Sequence, residues 1–307
     1  MADDYLALAD MLVINDSNNA DIEPREILDD APFVAALNAV VASNGHLHKY
    51  NRVTQAPVVG FRAENDGREH DSTIRTQITE TLKILDASFT VDKDVAESSP
   101  LGAEAILRME AVEHLRAAFF ALESQLLNGQ AEGSATGFLG LADFTSALSQ
   151  ANTISAGGAS ALTSVYMVRT GRPDVSIIAG NGGNISIGQS VVQRIAGATT
   201  GHLPAYFTPI SAYMGLQLGS TYSVVRIANI AAATQVVTDD LLYTGMAEFP
   251  VSRRPNLIVM NRRSAFQLRD SRTATNVTGA PAPIPTELEG IPIIVTDAIG
   301  IAETAVT

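Results

Sequence analysis

Residues 101 to 127 constrain the fold more than any other stretch of this chain. In LGAEAILRMEAVEHLRAAFFALESQLLNG the apolar residues Ile106, Met109, Val112, Leu115, Phe119, Leu122 and Leu126 recur at steps of three or four, while Glu104, Arg108, Glu113, Arg116 and Glu123 fall largely elsewhere on the helical wheel. Pro100 precedes the run and Gly129 follows it, the usual punctuation of a helix. A helix of roughly 25 residues is about 37 Å long at 1.5 Å per residue. That is longer than the core of a small domain requires, so the pattern predicts a spine crossing one domain from end to end.

The segments before the spine lack a core of their own. Residues 1 to 32 hold a short apolar stretch, Tyr5 to Ile14, followed by NDSNNADIEPREILDD, which reads as an arm whose apolar residues need some other surface. FVAALNAVVASNG, after Pro32, predicts a short helix ending at Gly45. From Asn51 to Asp92 the signal changes to strands. VVGFRA runs into a turn at Asn65, Asp66 and Gly67, and TETLKILDASFTVDK alternates at Leu82, Ile84 and Phe89. REHDSTIRTQI between them is too polar to build a core. A two-stranded excursion of this kind is marginal in isolation and needs a neighbouring surface, in its own chain or in another.

After the spine come a flexible stretch, GQAEGSATGFLGL, and a short helix in DFTSALSQ. SVYMVRTG, DVSIIAG, NISIG, SVVQRIAG and YMGLQLGSTYSVVRIANI read as strands, with GNGG as a turn between two of them. A helix is expected around Thr238 to Phe249, a buried strand in RPNLIVMN, a helix start in SAFQLRDS, a linker in PAPIP and a last strand in GIPIIVTDAI. No fixed-period repeat emerges, and the order of elements predicts an α+β fold rather than regular βαβ alternation.

Composition narrows the function. The 307 residues fit one large or two ordinary domains, and the absence of cysteine excludes disulfide scaffolds, thiol nucleophiles and cysteine-ligated metals. No run approaches 18 apolar residues, so no membrane span is expected, and the acidic start lacks the positive flank of a secretory signal, which points to synthesis inside the cell. A net charge of -13 argues against indiscriminate coating of nucleic acid. Charged residues make up only 17% of the chain, with Lys49, Lys83 and Lys93 the only lysines, and this hints that much of the surface faces other protein.

Candidate chemistry is sparse. His46 and His48 share one face of a strand and, with Asp66, Glu69, His70 and Asp71, could ligate zinc or iron, but no HExxH or facial-triad spacing fixes the geometry. The bland reading is polar residues beside turns. GNGG and GGAS fit neither a Walker nor a dinucleotide loop, there is no GxSxG, and His114 and His202 have no evident partner. No catalytic residue, no metal and no cofactor is expected. Arg253, Arg254, Arg262 and Arg263 are the one basic concentration, able to face phosphate, to pair with a neighbour's acid-rich arm, or to be plain surface.

Taken in order, RVTQAPVVGFRAENDG, TLKILDASFTVDK, the spine ending LLNG with GFLGL after it, SVYMVRTG, YMGLQL with VVRIANI, LIVMNRRSAFQL and GIPIIVTDAI resemble a tailed-phage major capsid protein of the HK97 fold. The resemblance implies an N-terminal arm at 1–32, an extended E-loop hairpin at 50–92, a peripheral P-domain made of 33–49, 93–140 and 280–307, and an axial A-domain at 141–279. It implies copies of the same chain in hexamers and pentamers as partners, a virion capsid made in the host cytoplasm, and packaged double-stranded DNA held without sequence-specific binding. A scaffold, a portal and decoration proteins are further possible partners. The residues expected to make inter-subunit contacts are Tyr5, Leu6, Leu8 and Leu12 of the arm, Phe61 and Phe89 of the hairpin, and the four arginines. Some members cross-link a hairpin lysine; Lys83 occupies the corresponding segment, and noncovalent stabilisation is the expectation here.

Three rival readings stand beside this one. An encapsulin-like compartment shares the fold but encloses enzymes, and a metal-dependent hydrolase would need the histidines and carboxylates to converge in a monomer. An adhesin or tail tube, a third class, would polymerise as fibres or stacked rings.

Overall fold

The structure, a computed structural model, describes residues 28–55, 57–68, 71–98, 100, 102–196, 201–276 and 280–307. The chain starts with α1 (Pro32–Ala36) and β1 (Ala39–Val41), then β2 (Leu47–Gln55), β3 (Ile74–Thr81), β4 (Lys83–Asp86), β5 (Phe89–Asp92) and α2 (Lys93–Glu97). The spine is α3 (Ala103–Glu132), followed by α4 (Leu141–Phe144). Strands β6 (Thr153–Ser155), β7 (Thr163–Val168), β8 (Val175–Ala179), β9 (Ser186–Ile187), β10 (Val191–Ala196), β11 (His202–Thr208), β12 (Ile210–Leu218) and β13 (Val224–Ile230) come next. The chain closes with α5 (Asp239–Ala247), β14 (Leu257–Met260), α6 (Arg262–Ala274), β15 (Glu287–Leu288) and β16 (Ile291–Val295).

Two apolar layers meet across one sheet. The order β15-β16-β14-β7-β13-β6 makes a six-stranded sheet whose central strands β7, β13 and β14 are buried on both faces. Alternation then sorts their side chains. Tyr166, Val168, Val224, Leu257 and Val259 join the core built on the spine, whereas Val165, Met167, Val225, Ile258 and Met260 join a second core under α5 and α6. This explains why SVYMV and LIVM are unbroken apolar runs: a strand covered on both faces has no polar side to alternate with. Residues 287–295, from the segment expected to complete the peripheral domain, lie in this same sheet, with β16 running parallel to β14.

The spine packs on a second sheet, ordered β1-β8-β12-β4 with β9 added to β12. Leu115, Phe119, Leu122, Leu126 and Leu127 are buried against Ile177, Ile210, Ala212 and Leu216. Full burial of such a side chain contributes roughly 1.5–3 kcal/mol, so this seam is a main source of stability. The amino-terminal half of the spine is less covered, and Met109 is exposed. The regular helix breaks at Gly129 (φ 62, ψ -145), where an added Cβ would collide with the Asp143 carboxylate and lie 2.6 Å from the Gly140 nitrogen. Only glycine fits that junction.

Three expectations are corrected. The helix predicted from Phe33 to Gly45 ends at Ala36, and Ala39–Val41 instead pairs in parallel with β8. Val40 and Val41 are β-branched, and the open edge of β8 supplies ladder partners that a short isolated helix lacks. The hairpin is formed by β2 and β3, so the polar REHDSTIRTQI segment supplies its return strand, while VVGFRA is loop. Backbone pairing, which needs no apolar side chain, decides that choice. Finally, TLKILDASFTVDK belongs to the body: β4 pairs with β12 and β5 with β11.

Candidate assembly surfaces

The β2–β3 hairpin runs in register from Leu47 opposite Thr81 to Gln55 opposite Ile74. Beyond it, residues 57–68 display Val58, Val59 and Phe61, with Phe61 fully exposed. The tip is ordered by its own polar atoms: Arg68 Nη2 donates to the Val58 carbonyl at 3.2 Å and Arg62 Nη1 to the Asp66 carbonyl at 3.0 Å. Asn65 takes the left-handed conformation (φ 62) expected of the NDG turn. Three large apolar side chains are thus presented to solvent on a hydrogen-bonded loop, a patch that marks an interaction surface.

Two further surfaces are accessible on the body. β10 is the edge of the three-stranded sheet β10-β11-β5, with Val191 and Val192 exposed on its two faces. An unprotected edge strand is a template for further pairing. A groove of about 490 Å³ lies where residues 29–32 meet the spine, with a mixed lining in which Pro32, Phe120 and Val295 stand beside Glu113, Arg262 and Asp297. Sequence reading missed Val58, Val59 and the β10 valines, although paired valines flanking a glycine or an open turn were the available signal.

The residues expected at interfaces have different fates. Tyr5, Leu6, Leu8 and Leu12 lie outside the described residues. Phe61 is exposed in the loop at the hairpin tip, but Phe89 is buried inside its own subunit, its ring 5.0 Å from that of His114 on the spine. Its apolar area is already covered there, which removes it from the hairpin. Lys83 opens β4 in the body sheet, opposite Met214, and is not on the hairpin.

The arginines are largely engaged within the chain. Arg253 pairs with Asp174, itself also held by Arg169 Nε at 3.0 Å and by the Ser223 hydroxyl at 2.7 Å. Arg263 donates to the Ala161 carbonyl at 2.7 Å, and burial holds its pKa down. Arg262 pairs with Asp297 at the surface. Arg254 is exposed, as is Arg262. The sequence could not distinguish these roles because each depends on a residue tens of positions away.

The metal reading loses one of its candidate ligands to structural hydrogen bonds. His48 is buried; its Nδ1 accepts the Ser43 amide at 3.2 Å, so its Nε2 donates to Gln217 Oε1 at 2.9 Å. Both ring nitrogens are occupied by structural bonds. Glu69 and His70 lie outside the described residues, and among the described residues no group of three histidines or carboxylates could hold a metal ion. No helix among the described residues is long and apolar enough to cross a membrane.

A spine helix laid on one sheet, a two-layered sheet domain and a hairpin with an exposed apolar tip are the parts expected of the HK97 fold, and solved structures share them. A chain in the structure of bacteriophage Epsilon15 superposes with a TM-score of 0.65 at 20% identity, covering 100% of this chain and 99% of that one. A chain of the bacteriophage JBD30 capsid gives 0.53 at 13% identity over 95% and 99%. No curated protein matches in sequence. The profile of the family described as "Major capsid protein GP7" matches residues 22–307, and the chain belongs to that family. It is accordingly a subunit that self-associates into the capsid lattice of a virion.

Proposed function

We propose that copies of this chain, grouped in hexamers and pentamers, close into the icosahedral head that encloses the double-stranded DNA genome of a tailed phage. The observation that carries this reading is the tip beyond the β2–β3 hairpin, where Val58, Val59 and Phe61 are exposed. Such a surface acquires its stabilisation from a neighbouring copy, and many modest interfaces per subunit sum to a stable shell. The role is structural rather than enzymatic. Residues 1–32 act as the arm, 50–92 as the E-loop segment, 33–49 and 93–140 as the P-domain and 141–279 as the A-domain. The pairing of β16 with β14 favours counting 287–295 with the A-domain rather than with the P-domain. A separate scaffold and a portal serve assembly, the DNA is packed without sequence-specific contacts, and synthesis takes place in the host cytoplasm.

The test is the mass and shape of the purified assembly, by light scattering and negative-stain microscopy, with nuclease treatment of the contents. Closed megadalton particles protecting double-stranded DNA are expected. Closed particles filled with protein would favour the encapsulin-like compartment, and a persistent monomer under varied salt and pH, with scaffold present, would overturn the shell.

A further inference from the structure

His48, Tyr50 and Arg52 occupy alternate positions of β2 and therefore share one face of the strand. They converge on two consecutive residues at the end of β12. His48 Nε2 donates to Gln217 Oε1 at 2.9 Å, Tyr50 Oη accepts the Leu218 amide at 3.4 Å, and Arg52 donates from Nε and Nη2 to the Leu218 carbonyl at 2.9 and 2.7 Å. Arg52 Nη2 also bonds the Tyr50 hydroxyl at 3.2 Å, and its guanidinium lies 5.5 Å from the centre of the Phe144 ring on α4. The His48 and Tyr50 rings stack at 5.9 Å, and Glu80 sits directly opposite His48 in the ladder. Gln217 is fixed in turn, donating to the Arg172 carbonyl at 2.7 Å.

The position of this cluster matters more than its composition. It lies at the root of the hairpin, and the ladder shifts register between Val53 and Gln55, just beyond Arg52. Past that shift, Gln55 and residues 57–67 are exposed. A two-stranded ribbon without a covering layer has no packing to fix its inclination, so its direction is set where it is fastened.

We infer that Arg52 is the latch of the hairpin: its forked grip on the Leu218 carbonyl, supported by Tyr50 and Phe144, sets the angle at which the hairpin leaves the body. The guanidinium suits this task because it delivers two donors in a fixed geometry to one acceptor while stacking on aromatic rings. A lysine offers a single flexible ammonium and cannot reproduce the fork. Arg52 is a positioning residue, and releasing it frees the tip to sweep without unfolding the body. The inference concerns the single subunit, so it stands or falls independently of the proposed shell.

The absence of native cysteine makes the test direct. Ala63→Cys at the tip and Asp270→Cys on α6, both exposed, take spin labels in the full-length unassembled chain, and a second pair, Ser146→Cys with Asp270→Cys, reports on the body. The unsubstituted latch is expected to give one narrow tip-to-body distance. Arg52→Ala is expected to lose that single population while the body pair stays unchanged, Arg52→Lys to lose most of it, and Arg75→Ala on the exposed part of β3 to leave it intact. A tip distance as narrow in Arg52→Ala as in the parent overturns the inference. If Arg52→Ala disturbs the body pair as well, Arg52→Lys decides: a scattered tip over an unchanged body supports the latch, and an unchanged tip overturns it.

Discussion

The Glu123 carboxylate on the spine accepts the backbone amide of Phe33 at 2.8 Å, from a helix 90 residues earlier in the chain. The same oxygen takes the Val34 amide at 3.1 Å, and the other takes the Thr296 hydroxyl. Helix α1 begins after Ala31 with no side-chain cap of its own, so its first free amides are satisfied from the spine. One buried glutamate thereby ties together the start of the body, the spine and the end of β16.

Glu123→Ala leaves the buried Phe33 amide and the half-buried Val34 amide without an acceptor and is expected to lower stability by about 3 kcal/mol, against about 1 kcal/mol for Glu123→Gln, which keeps one acceptor. Denaturant melts of the unassembled subunit measure both. Burial raises the pKa of Glu123 above the ordinary 4.5, partly opposed by the Thr296 hydroxyl and the two amides. The folded state therefore holds this proton more tightly than the unfolded chain does. The contribution to stability is fully present below about pH 4.5 and falls as pH rises through the folded value, and Glu123→Gln should flatten that slope.

Arg226 and Glu303 form a buried ion pair at 3.0 Å, with Ser164 bridging them at 2.9 and 2.5 Å. Burial pushes the Glu303 carboxyl up, with the Arg226 guanidinium opposing it. Removing one partner strands the other charge, so Glu303→Ala should cost about 3–5 kcal/mol, while Arg226→Met combined with Glu303→Leu should cost much less. Thermal or denaturant unfolding of the single and the double variant reads the difference; equal losses would contradict it.

Gly129→Ala forces a side chain into a left-handed conformation against the Asp143 carboxylate, which accepts the Gln130, Ala131 and Gly140 amides at 2.8, 3.1 and 2.9 Å. The expected loss is at least about 2 kcal/mol, from backbone strain plus disruption of that carboxylate. An unchanged denaturation midpoint would show that the junction can relax.

Replacing Val58, Val59 and Phe61 together by serine should leave the melting of the free subunit within about 0.5 kcal/mol, because those side chains touch little in their own chain. The fraction sedimenting as closed particles should drop sharply. Normal assembly of this variant would remove the hairpin tip from the list of interfaces.

The spine, the α+β class and the buried strands SVYMV and LIVM were legible in the sequence because each element carries its own burial pattern. Leu115, Phe119, Leu122 and Leu126 are buried as their spacing requires. Periodicity records which face a residue turns inward within its element; it says nothing about which distant element covers that face. Hence the pairing of β3 with β2, the diversion of Phe89 and Lys83 into the body, the strand at Ala39–Val41 and the engagement of Arg253 by Asp174 were decided by tertiary structure alone. Each of those outcomes is a competition between partners far apart in the chain, settled by backbone pairing and packing that no local pattern encodes.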